Sequence, residues 1–156
     1  MNLIKMYKAG AVKRWHTRTT IKEQDVAAHS WGVAMIVKEI YPQANADLLM
    51  AALTHDLHEI ESGDIPYPFK KKNAQVRLGV ELQESQFVKE NGLPQPAESL
   101  IHILKWADMF ELYLWCRREA GLGNQTMLDT VDVAYKALRD MGPPTKRAEE
   151  LFKEAL

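Results

Sequence analysis

Apolar residues recur at steps of three and four along almost the whole chain, in stretches cut by glycine and proline. No stretch alternates with the period of a half-buried strand. That pattern confines the fold to helices packed on helices. A short helix over Leu3–Ala9 stops at Gly10, and the polar, basic, threonine-rich segment Ala11–Gln24 reads as a functional loop. A second helix runs from its cap Asp25 to about Tyr41, before Pro42, with an inward stripe of Val26, His29, Val33, Ile36 and Ile40. A third starts near Asn45 and carries Leu48, Leu49, Ala52 and Leu53 on into His55, Asp56 and Glu59. Gly63, Pro66 and Pro68 then impose an irregular loop over Ser62–Pro68. The fourth helix covers Asn73–Glu90 and ends at Gly92. The fifth runs from Pro96 to about Ala120, with a stripe of Ile101, Leu104, Asp108, Leu112 and Trp115. The sixth spans Thr126–Met141, with Thr126 and Asp129 as a near capping box, and a last helix, Thr145–Leu156, docks on the rest. The expected fold is all-α: a compact bundle of about six or seven helices in one domain, residues 1–156.

At 156 residues and 46% hydrophobic, such a chain can bury a substantial core. The net charge of −1 gives no overall pull toward a nucleic-acid polymer or a membrane. No apolar run approaches the roughly 18 residues of a membrane span, and Met1–Ala9 lacks the apolar core and cleavage site of a secretion signal. The single cysteine, Cys116, excludes an intramolecular disulfide and reads as a packed core thiol, which fits a reducing cytoplasm. Basic residues bunch at Lys13–Arg14, Arg18 and Lys70–Lys72, which suits either a small anionic ligand or a solvated surface.

Four ionisable residues interrupt the apolar stripes: His29, the adjacent pair His55–Asp56, and Asp108. An ionisable group among apolar neighbours is costly unless compensated, and a divalent metal is the simplest compensation. Each has an ordinary explanation alone, a hydrogen-bonded core histidine or a helix-pairing carboxylate. Together on three inward stripes they point to a metal-dependent hydrolase. Imidazole nitrogen mixed with carboxylate oxygen suits Zn2+ first, with Co2+, Mn2+, iron or Mg2+ as alternatives. Glu59, one helical turn past the pair, is the candidate general acid/base, since a metal lowers the pKa of a water it holds from about 15.7 toward 7. Arg14, Arg18 and Lys70 would supply positive charge to a phosphate ester. Trp15 could stack on a base or sugar, or simply plug the end of the bundle. His16, His58 and His102 read as surface or supporting residues, and Glu61, Lys71 and Lys72 as solvated.

These residues resemble the four-part signature of the HD-domain phosphohydrolases. More narrowly, Arg14-Trp15, Ala28-His29-Ser30, His55-Asp56-Leu57-His58-Glu59 and Gly63-Asp64-Ile65-Pro66-Tyr67-Pro68 are similar to the bacterial 5′-deoxynucleotidase branch. The compact length and the Arg-Trp loop look most like the phage dATP triphosphohydrolases, which accompany replacement of adenine by 2-aminoadenine in phage DNA. Ala28 stands where the bacterial enzymes commonly carry glutamate. The resemblance implies ligation of the metal by His29, His55, Asp56 and Asp108, with further ions on the phosphates. It implies proton handling by Glu59, with Asp56 and Asp64 in the catalytic set. Arg14, Arg18 and Lys70 would hold phosphates, Trp15 would pack on the nucleoside, and Thr17 would help select the base. The implied reaction converts dATP and water to deoxyadenosine and triphosphate, with dADP and dAMP as further substrates. A 5′-deoxynucleotidase acting on monophosphates and a non-catalytic nucleotide or metal sensor are the alternatives. A homo-oligomer, hexameric or dimeric, is implied as well.

Overall fold

The structure is a computed structural model that describes residues 2–156. Among them lie nine α-helices: α1 (Leu3–Ala9), α2 (Val26–Ile40), α3 (Ala46–Thr54), α4 (Glu59–Ser62), α5 (Tyr67–Lys72), α6 (Ala74–Asn91), α7 (Ile101–Gly121), α8 (Leu128–Met141) and α9 (Lys146–Glu154). Two 3₁₀ turns, Glu98–Leu100 and Gln125–Met127, lead into α7 and α8. The described residues contain no β-strand; one isolated bridge, Lys13 to Asp25, closes the base of the loop between α1 and α2. No described helix is long and apolar enough to cross a membrane.

Two departures account for the extra helices. The third expected helix does not run through to Glu59. It ends at Thr54, and the chain tightens: the amides of Leu57, Glu59, Ile60 and Glu61 each bond to the carbonyl three residues back before and within α4. The expected loop over Ser62–Pro68 stops at Pro66, because Tyr67 and Pro68 open α5. Proline lacks only a donor that the first turn leaves unpaired anyway, so Pro68 starts this helix rather than blocking it. The side chains of Asp25, Asn45 and Thr145 cap α2, α3 and α9. The Thr126–Asp129 box does not form; Thr126 Oγ1 bonds instead to Asn124 Oδ1 at 2.6 Å.

The main core joins α2, α3, α7, α8 and α9 through Val33, Val37, Ile40, Leu48, Trp106, Phe110, Tyr113 and Leu138. Large apolar side chains of this kind contribute about 1.5–3 kcal/mol each when fully buried. A smaller cluster of Met6, Ala9, Val26, Leu57, Phe87 and Leu93 ties α1 and the end of α6 to the bundle. The buried row of α7 is Ile103, Trp106, Ala107, Phe110 and Tyr113, rotated from the first part of the expected stripe, while Trp115 is buried as expected, together with Cys116 and Glu119. Ile101 is exposed, while Asp108 and Leu112 sit at the margin of the core, where they line a cavity. That rotation is what gives Asp108 access to a ligand.

Candidate active site

Three separate elements deliver the four expected ligands. His29 projects from the second turn of α2, His55 and Asp56 from the tight turn after α3, and Asp108 from the middle of α7. His29 Nε2 lies 3.1 Å from Asp108 Oδ1 and 3.5 Å from Asp56 Oδ2; His55 Nε2 lies 3.8 Å and 3.5 Å from the same atoms. His29, His55 and Asp108 each offer one atom within 4.8 Å of the others. Asp56 is also paired with Arg14, 2.7 Å away.

The far side of each imidazole is engaged. His55 Nδ1 bonds the carbonyl of Ala52 at 2.8 Å, and His29 Nδ1 bonds Glu111 Oε2 at 2.5 Å. Since carbonyl and carboxylate oxygens only accept, both Nδ1 atoms carry a hydrogen and both Nε2 atoms face the cluster, each placed to take up a proton or a cation. Both Nε2 atoms are buried without a hydrogen bond. Two orphaned nitrogens aimed at two carboxylates are costly as they stand, and they fit a divalent cation.

The electrostatics follow from crowding. Burial opposes charge on His55, yet Asp56 and Asp108 outweigh it and push the imidazole up to about 10. Burial works against the charged form of Asp108 too, but the adjacent His29 and His55 imidazoles hold its carboxyl well below the usual range. Asp56 is likewise held down, by His55 and Arg14 acting against burial. Glu59 behaves oppositely. It is 5% exposed, with Oε2 unpartnered, and burial first, then Asp56 and Asp64, push it up to about 8.

The cluster opens into a cavity of about 330 Å³, near the lower end of the range for small-molecule sites. Its wall carries charge, from Arg14, Asp56, Glu59, Asp64, Lys70 and Asp108. It also carries apolar surface, from Trp15, Ile65, Pro66, Met109, Leu112 and Val133. Such a space suits an anionic head joined to a flat apolar body. Thr17 and Arg18 lie on the same wall, and Arg18 also donates to the carbonyl of Thr126 at 3.3 Å. Lys70 reaches the cavity from α5 rather than from the expected loop. His16 borders the cavity, His58 is buried beneath His55 with Nδ1 on its carbonyl, and His102 is exposed beside Met141. Glu61 is paired with Lys5, away from the ligands.

Several supporting residues were not foreseen. Glu111, which orients His29, lies three positions after Asp108 on α7; that spacing was the available signal. Gln24 and Glu119 had none, because their partners are 87 to 98 positions away. Trp15 adopts a left-handed backbone, φ 63°, and stacks on Trp115 with centroids 4.8 Å apart and planes 8° from parallel. It therefore both plugs the bundle and lines the cavity.

Comparison with known proteins agrees with this geometry. The chain is 27% identical to a 5′-deoxynucleotidase of Erwinia tasmaniensis, over 75% of this chain and 72% of that protein. It is 26% identical to the 5′-deoxynucleotidase YfbR of Salmonella typhi, over 72% and 69%. Among solved structures, the cyanophage S-2L HD phosphohydrolase DatZ, bound to dA and one catalytic Zn2+ ion, has the same fold. Its TM-score is 0.62 at 19% identity, covering 99% of this chain and 98% of that one. Residues 3–97 match the model of the 5′-deoxynucleotidase YfbR-like family. That stretch holds the whole Arg14–Trp15 loop and three of the four clustered residues, so this chain is a member of the 5′-deoxynucleotidase YfbR-like family.

Proposed function

We propose that this protein is a metal-dependent dATP triphosphohydrolase, cleaving dATP to deoxyadenosine and triphosphate and so removing dATP from the nucleotide pool during phage infection. The observation that carries this reading is the pair of orphaned imidazole nitrogens beside Asp56 and Asp108, two carboxylates that line a cavity with both basic and apolar residues on its wall. His29, His55, Asp56 and Asp108 hold a divalent ion, Zn2+ by the chemistry of its donors. When bound, that ion supplies Lewis acidity to the water and to the phosphoryl oxygens.

The chain's own residues do the rest. Arg14 and Lys70, on one wall, neutralise the phosphate oxygens, with Arg18 further out. Glu59, held near 8, exchanges a proton with the reacting water, and Asp64 sustains that elevated pKa. A P–O bond forms from water to the α-phosphorus, the bond to the 5′ oxygen breaks, and the 5′ oxygen leaves with a proton. Trp15 offers its indole face to the nucleoside, and Thr17 borders the base. Incubation with dATP and Zn2+ should release deoxyadenosine and triphosphate, read by chromatography of both products. Deoxyadenosine monophosphate with pyrophosphate would overturn the proposal.

A second reading, a 5′-deoxynucleotidase acting on monophosphates, draws on the activity named for the bacterial relatives. The same bond to the 5′ oxygen breaks in either substrate, so a competition of dAMP against dATP separates the two. A non-catalytic sensor is disfavoured by the complete ligand set and by Glu59.

Self-association is part of the proposal, with a second copy on the outer face of α1–α3. Tyr7, Trp31, Met35, Met50 and Leu53 are 85%, 63%, 52%, 38% and 39% exposed there. Tyr7, Ala27 and Leu53 line one shallow groove, which Trp31 and Met35 extend along α2. Five large apolar side chains so exposed on adjoining helices form the kind of patch that marks a protein contact. Such a largely apolar surface can meet its own copy across a two-fold axis, with Asp25 as the charged residue of the groove. The reduced Cys116 thiol is consistent with a cytoplasmic setting, the host's if a phage encodes the protein.

A further inference from the structure

We infer that Gln24 links the metal ligand His29 to the cavity residue Trp15, so that occupancy of the metal site and the setting of the Trp15 indole are thermodynamically coupled. The link is an unbroken row of hydrogen bonds across three elements. His29 Nδ1 donates to Glu111 Oε2 at 2.5 Å, Gln24 Nε2 donates to Glu111 Oε1 at 2.8 Å, and Trp15 Nε1 donates to Gln24 Oε1 at 2.8 Å. Each direction is dictated by chemistry. An indole N–H only donates, a carboxylate only accepts, and the Gln24 amide, with an acceptor oxygen and a donor nitrogen, accepts from the one while donating to the other. With both ends so defined, neither Gln24 nor His29 can reverse without leaving a buried group unpaired. Gln24 is 5% exposed, so that loss is costly.

Two further features show that the row is built at some expense. Gly32 lies in the middle of α2, where glycine is less favourable than alanine. A Cβ there would stand 2.8 Å from Glu111 Cγ, so the glycine is what lets Glu111 lie against α2 within reach of His29. Trp15 holds φ at 63°, in the left-handed region that a non-glycine residue adopts only at a cost. Packing on the cluster of Trp115, Cys116 and Met127, the stack on Trp115 included, and the bond to Gln24 hold its indole in place. Ordering His29 on a cation therefore favours the same Glu111 and Gln24 rotamers that fix Trp15, and linkage makes the effect reciprocal. Gln24 and Glu111 act as positioning residues and touch no reacting atom.

The inference rests on the metal reading of the proposed function but not on its substrate. It is tested in whole protein with Zn2+ alone, by following indole N–H resonances in a ¹H–¹⁵N spectrum. The Trp15 signal among the four tryptophans is assigned by its loss in Trp15→Phe. In the wild-type protein this signal should move in step with Zn2+ saturation. Gln24→Met, close in shape but unable to bond, should leave it nearly still and weaken Zn2+ binding on the order of 10-fold, as for other outer partners of metal-bound histidine. Gly32→Ala, displacing Glu111 from the other side, should uncouple the signal in the same way without altering Gln24. Zn2+ binding with a stationary Trp15 signal, or an undiminished shift in both variants, overturns the coupling alone. Failure of the wild-type protein to bind Zn2+ overturns the metal reading and the coupling with it.

Discussion

Asp56 and Glu59 are carboxylates three positions apart, and their surroundings drive them to opposite charge states. Burial raises both, but His55 and Arg14 hold Asp56 ionised, while Asp56 and Asp64 add to burial at Glu59 and lift it to about 8. Their substitutions should therefore fail differently. Asp56→Asn is expected to lose both bound metal and turnover, the latter by on the order of 10³-fold, with the helical circular dichroism unchanged. Glu59→Gln is expected to keep its metal and lose on the order of 10²- to 10⁴-fold in kcat, as for removal of a general acid/base. Metal content measured beside kcat distinguishes the two. Cys116 supplies a control elsewhere in the core. Burial first, and then Glu111, push its thiol up to about 12. At pH 8 the folded protein should react with a thiol reagent roughly 10³-fold more slowly than a free cysteine, because only the thiolate attacks; unfolding should release the full rate.

The loop between α1 and α2 has no regular structure, so side chains from α7 and its end must order it. Glu119, 0% exposed, accepts from the amides of Ile21 and Lys22 at 2.7 and 2.8 Å. Asn124 donates to Glu119 and to the carbonyl of Thr19. Burial opposes ionisation of Glu119, but these hydrogen bonds outweigh it and its carboxyl is held below the usual value. A depressed folded pKa means that this stabilisation is complete above the unfolded value near 4.3 and fades as pH falls through the folded one. Glu119→Gln should cost about 1–3 kcal/mol in denaturant unfolding, because an amide leaves one amide donor unmatched. It should flatten the acid limb of the stability curve and raise KM more than it lowers kcat. A KM that stays at the wild-type value would show that the loop is ordered without this clamp.

Across the whole molecule, residues of the loop after α1 and of α5, α7 and α8 line the cavity, with Asp56 and Asp108 of the cluster on its wall. A cation held by His29, His55, Asp56 and Asp108 would tie α2, the turn after α3 and α7 together and favour the folded chain. At a thousand times its dissociation constant it adds about 4 kcal/mol, which for a chain of this size raises Tm by about 10 °C. Scanning calorimetry with Zn2+ and then with excess chelator checks this, and a Tm indifferent to both would count against a metal bridging the helices. The outer face of α1–α3 is far from these events. Trp31→Glu should leave the thermal response to Zn2+ intact while weakening self-association at least 100-fold, the cost typical of a central aromatic anchor. Light scattering measures the mass directly; a wild-type protein monomeric at millimolar concentration rules that face out as the contact.

The sequence by itself determined the helical class, the limits of α1, α2 and α6 to within about two residues, and the grouping of His29, His55, Asp56 and Asp108 as one set. These are legible because helical periodicity and the cost of an ionisable group among apolar neighbours are both local properties of a chain. Only the tertiary structure decided the rotation of α7 that turns Asp108 to the cavity, the tightening after Thr54, and the delivery of Lys70 from α5. Only it revealed Glu111, Gln24 and Glu119. Each of these is a polar residue satisfied by a partner distant along the chain, and no pattern of neighbours announces such a bond before the helices have packed.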